Sequence, residues 1–216
     1  MLTYKPIRTT LITAFCSLLI TVPAVYAGAT DDTFKESREL RKRAEKTFGE
    51  VNRYVSQLNE TERALSLVGR SNNGNLRKRY ESFSREVGKL EKAQARATSN
   101  IDRMRSTSAE YFSSWDKANA QIAEPELRLE SARRRSRVLE RHREFADDLS
   151  KIGLELQPFM SNLRDLKSFL GADLSPSNVE KARELIEQSQ VDAKALKERI
   201  AGVRTTLEQF LKETPE

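Results

Sequence analysis

Between Leu76 and Ile122, positions spaced alternately four and three residues apart are apolar or aromatic at twelve of fourteen places, Gln94 and Ser108 being the exceptions. At 38% apolar content, about five would fall there by chance. The stripe runs Leu76, Tyr80, Phe83, Val87, Leu90, Ala97, Ile101, Met104, Tyr111, Trp115, Ala118 and Ile122. A helix with one narrow apolar stripe must lay it against another helix. Three further segments show the same spacing. The first carries Ala44, Phe48, Val51, Val55, Leu58 and Leu65, interrupted by Glu62. The third carries Val138, His142, Phe145, Leu149, Ile152, Leu156, Phe159, Leu163, Leu166 and Leu170 without a break. The last carries Val179, Ala182, Ile186, Ala193, Leu196, Ile200, Val203, Leu207 and Phe210, with Ser189 its polar member.

The breaks between these segments have chemical causes. Thr33 and Glu36 stand in capping-box spacing, which predicts a helix starting near Thr33. Gly69 to Asn75 is dense in turn formers, and Asn75 can cap the next helix. Pro125 lacks an N–H and pushes Glu124 away from helical geometry, which favours a tight turn. A kink within one long helix stays open, because the register continues through Leu129, Ala132 and Leu139. Pro158 predicts a kink inside the third helix, and Gly171 a left-handed stop at its end. Ser175-Pro176 then reads as a cap with proline in the first turn, in competition with Ser177 and Glu180.

The expected fold is therefore all-α: an elongated antiparallel helical bundle, or coiled-coil hairpins, of about four long helices at 33–68, 76–123, 126–170 and 176–213. The first helix comes out about ten residues shorter than the second, so the two inner helices would project beyond the outer pair.

Residues 1–27 read as a secretory signal peptide. Lys5 and Arg8 precede an apolar run from Leu11 to Val22, Pro23 ends it, and cleavage is expected after Ala27 or, second, Ala29. The run is too short for an uncleaved span, and Phe15 is too bulky to precede a lipidated Cys16. Residues 28–216 then form a single helical domain in the periplasm or another exported compartment. That domain has no cysteine and no transmembrane segment. Of the formal net charge of +6, Lys5 and Arg8 carry two units away. The modest surplus favours anionic phospholipid, lipopolysaccharide or cell-wall polymer without specifying one.

Chemical sites are sparse. His142 is the single histidine, and its helical neighbours Val138, Leu139, Phe145 and Ala146 offer no partner for acid–base or metal chemistry. It reads as a polar residue tolerated in the seam. No serine has a triad pattern, and the glycines at 69 and 74 lack the Gly-Lys-Ser ending of a phosphate loop. Trp115, Tyr111 and Phe112 read as core packing. The strongest charge feature is Arg128, Arg133, Arg134, Arg135, Arg137, Arg141 and Arg143, spread around the helix among four glutamates. Spread charge argues against nucleic acid and reads first as a solvated face, then as an anionic-surface contact.

Phe112-Ser113-Ser114-Trp115, Ile122 to Arg128, Leu156-Gln157-Pro158-Phe159-Met160 and Arg164-Asp165 together resemble a bacterial family of exported, predicted coiled-coil proteins grouped as a domain of unknown function. The resemblance runs from about Trp115 to Phe210. It implies a helical fold and assigns no activity, cofactor or site.

The resulting expectation is a non-enzymatic envelope protein serving as a helical scaffold or interaction module, without a cofactor or metal. The alternative is a periplasmic holdase for unfolded envelope proteins. A protein partner is compatible with either role, and a seam can pair within one chain or between copies.

Overall fold

A computed structural model describes residues 24–70 and 75–213, with side chains from 33–70 and 75–212. Lys5, Arg8, the run Leu11–Val22 and Pro23 lie outside the described residues. Ala27 and Ala29 fall in the first turns of a helix. The elements are α1 (Ala24–Gly69), α2 (Leu76–Ala120), α3 (Pro125–Ala172), α4 (Pro176–Lys181) and α5 (Arg183–Glu213). Among the described residues there is no strand.

The rods form a four-sided bundle. α1 packs most closely on α2 and α3 on α5, and the two hairpins meet along α2–α3 and α1–α5. α3 has 48 residues, about 72 Å at 1.5 Å per residue. The expected stripes of α3 and of α4 with α5 are buried in one continuous core, His142 being half-buried. Most of α2's stripe joins them. Its polar members are explained locally: Ser108 donates to the Met104 carbonyl at 2.9 Å, and Ser189 of α5 to the Leu185 carbonyl at 2.7 Å. A hydroxyl satisfied by its own helix can be buried without an orphaned donor.

α1 departs from expectation twice. It begins at Ala24, nine residues before Thr33, because no proline or turn sequence between Ala24 and Thr33 stops a helix. Thr33 and Glu36 are therefore interior. α1 thus matches α2 in length, 46 residues against 45, and the outer helix is not the shorter one. Its buried stripe is also offset. Ser37, Leu40, Ala44, Thr47, Tyr54, Leu58, Thr61, Leu65 and Val68 are buried, while Phe48, Val51 and Val55 are half-buried. Thr47 donates to the Arg43 carbonyl at 2.8 Å and lies 3.2 Å from the Asn100 carbonyl of α2. Thr61 does the same with Gln57 and Glu86, at 2.9 and 3.3 Å. Small hydroxyl residues thus bring two backbones close together.

The turn at Pro125 forms as favoured. Glu124 is extended at φ −69°, ψ 118°, and its carboxylate accepts from the Glu126 N–H. α3 continues through Pro158, where the carbonyl that proline leaves unpaired belongs to the exposed Leu154 and can be served by solvent. Gly171 is not a left-handed stop: no described glycine has positive φ, and α3 runs on to Ala172. Its lack of a side chain instead makes room for Tyr80 of α2, whose hydroxyl donates to the Lys167 carbonyl at 2.9 Å. Ser175 caps α4 through Asn178, so the Ser177–Glu180 box is not used. Asn75 precedes α2 without a side-chain cap, its carbonyl alone accepting from Arg79. A one-residue interruption at Ala182 separates α4 from α5, and the Ile186 N–H to Ala182 carbonyl bond carries the ladder across it.

Candidate functional site

The arginine-rich start of α3 occupies one end of the bundle. Phe210, in the last turn of α5, meets the His142 ring at 5.7 Å, so α3 before about Val138 runs on past α5. Trp115 ties this stretch to α2 by donating from Nε1 to the Ser131 hydroxyl at 3.1 Å. Every residue from 123 to 130 is exposed, Leu127 and Leu129 being 64% and 51% accessible.

The seven arginines divide by partner. Arg135 folds back onto α2, pairs with Asp116 at 2.6 Å and lies over the Phe112 ring at 5.6 Å. Arg133 and Arg137 share Glu130 at 3.8 and 3.6 Å, and Arg141 pairs with Glu144 at 2.8 Å. Exposed pairs of this kind contribute little to stability. Arg128, Arg134 and Arg143 are exposed and make no ion pair among the described residues. The helix therefore carries a fixed inner arginine and a scattered, solvated outer set.

His142 lies between Phe112 and Phe210, each ring centroid 5.7 Å away, with its Nε2 buried and unpartnered. Burial, aided by Arg105 and Arg143, holds its pKa below the ordinary 6.5 and keeps the ring neutral. Tyr111 packs against Phe112 and Trp115 at 5.2 and 5.5 Å, and burial pushes its pKa up to about 12. The aromatic cluster is core. Among the described residues, no group of three or more His, Cys, Asp or Glu is placed to hold a metal ion. No helix there is long and apolar enough to cross a membrane.

Residues 32–214 match the profile of a family described as protein of unknown function, DUF2959. The chain belongs to this family. No curated protein and no solved structure matches it. Family membership thus supports the resemblance seen in the second half of the chain, extends it across α1, and assigns no chemistry.

One feature escaped sequence reasoning. Tyr54 of α1 is buried with a hydroxyl that has no hydrogen-bond partner, and it lines a cavity built from all four long rods. Burial holds its pKa well above 10. In the sequence the one hint is Gln94, one of the two polar members of α2's stripe, which lines the same cavity.

Proposed function

We propose that the protein is a non-enzymatic, exported scaffold of the cell envelope that rests one end of its helical bundle on an anionic lipid surface. The observation that carries this reading is the first two turns of α3, where exposed Leu127 and Leu129 flank Arg128 beyond the end of α5. Apolar side chains beside unpaired cations match an interface that offers phosphate above and hydrocarbon below. Arg134 and Arg143 extend the positive field along the same rod. The basic start and apolar run of residues 1–22 support export.

Vesicle sedimentation tests this. The protein should pellet with phosphatidylglycerol vesicles and not with phosphatidylcholine. Binding should weaken sharply at about 0.5 M salt, where the screening length falls to about 4 Å. Combined Arg128→Gln, Arg134→Gln and Arg143→Gln should abolish binding, as should Leu127→Asn with Leu129→Asn. Equal binding to both vesicles, or none to either, would reject the reading.

A further inference from the structure

Halfway along the bundle an apolar groove runs between α1 and α5. α1 turns Thr47, Tyr54, Leu58 and Thr61 into the core, which leaves Phe48, Val51 and Val55 half-buried in the groove's wall. Phe145 and Leu149 of α3 with Ile200, Val203 and Leu207 of α5 form its buried floor. The groove has a volume of about 190 Å³ and opens to solvent at Asn52 and Ala201, both exposed. Its α1 wall from Thr47 to Val55 rises about 12 Å at 1.5 Å per residue, the reach of an extended chain of about ten carbons. A long, narrow, apolar trough between two rods suits one flexible chain better than a flat ring.

Charge narrows the class of occupant. Among the described residues that line the groove, Lys197 and Arg204 alone are charged, and both are cations. Lys197 is already committed: it crosses to α1, where it pairs with Glu62 at 2.5 Å and donates to Asn59 at 3.2 Å. Arg204 also crosses the groove and lies over the Phe48 ring of α1, 5.1 Å from its centroid. That contact holds the guanidinium at the groove's edge. Glu208 accepts from its Nε at 2.9 Å, while its two terminal nitrogens make no hydrogen bond among the described residues. The end-on pair of N–H groups is therefore available to a carboxylate, and Glu208 is exposed, so solvent screens its repulsion. A cationic head group would meet like charge from both Lys197 and Arg204.

We propose that this groove binds one single-chain fatty carboxylate, its tail laid along the α1–α5 seam and its head group on the terminal nitrogens of Arg204. Apolar burial supplies the attraction, and the guanidinium selects the sign of the head group. The site is separate from the arginine-bearing end of α3 and does not depend on that end meeting a lipid surface.

A matched pair of probes decides the matter. Decanoate and decyltrimethylammonium share a tail and differ in the sign of the head, and calorimetry below their micelle-forming concentrations follows each. Decanoate should saturate at one site per chain and bind about tenfold or more tightly than the cation, the usual worth of a hydrogen bond to a charged group. Across hexanoate, octanoate, decanoate and tetradecanoate, affinity should rise by up to about fourfold per methylene and level off near ten carbons. Arg204→Gln should remove the preference for the anion, and Glu208→Gln should strengthen it. Ala201→Trp, at an exposed position in the groove, should abolish decanoate binding while helical circular dichroism and vesicle pelleting are unchanged. The proposal fails if decanoate does not saturate, if the wild-type protein binds both probes equally, or if Arg204→Gln keeps the preference. It fails too if a second copy covers the groove, seen in sedimentation as a dimer that Ala201→Trp dissociates. The wild-type comparison is decisive even if a variant does not fold.

Discussion

His142 couples packing to pH. Its ring sits between two phenylalanines, and burial together with the Arg105 and Arg143 cations disfavours its protonated form. In the unfolded chain the imidazole regains its ordinary pKa, so as pH falls the unfolded state takes up the proton first. The contribution to stability is complete above about 6.5 and is lost progressively as pH falls through that value toward the folded-state pKa. His142→Leu should therefore flatten the decline in stability between pH 7 and pH 5 relative to wild type, measured by urea unfolding at a series of pH values. Parallel curves for the two proteins would contradict the burial argument. Gly171 makes the complementary point about a residue with no side chain: it is needed because Tyr80 passes there, and its backbone conformation is ordinary.

At the scale of elements, the α1–α2 contact is set by small hydroxyl residues, and its energetics run against a simple count of apolar positions. Thr47 faces the Asn100 carbonyl across a close approach of backbones. Thr47→Leu would make the stripe more apolar yet should destabilise the protein by about 1–3 kcal/mol, because a larger side chain forces the rods apart. Chemical denaturation measures this, and an increase in stability would show that the approach is not tight. The same residues explain what could and could not be read from the chain. α2, α3 and α5 bury Leu, Ile, Val and Phe, so their faces were legible from spacing alone. α1 buries Thr47 and Thr61, whose hydroxyls meet carbonyls of their own helix and of α2, a pairing that apolar spacing does not reveal, and its stripe was displaced toward Phe48 and Val55. Thr33 and Glu36 could have begun a helix, but a cap marks a permitted start and cannot halt a helix already under way. The turn at Pro125 was legible because proline's constraint is local. The cavity lined by Tyr54 was not, since it exists only once four distant segments meet.

The whole molecule is a rod. With α3 spanning about 72 Å and the other rods lying alongside it, the chain cannot approximate a sphere. Sedimentation velocity should give a frictional ratio above that of a compact domain of equal mass, and a value near that of a sphere would be incompatible with the bundle. The rod is also uneven along its length. Its middle is loosely filled around Tyr54, and the start of α3 passes the end of α5.

Trp115 gives that unevenness an optical handle. It is the chain's only tryptophan, and its indole N–H is held by Ser131 across the Pro125 turn. All indole fluorescence therefore originates at the end where α2 hands over to α3. Fraying of that end shifts the emission while the ellipticity of the remaining rods persists, so a single spectrometer can separate local opening from global melting.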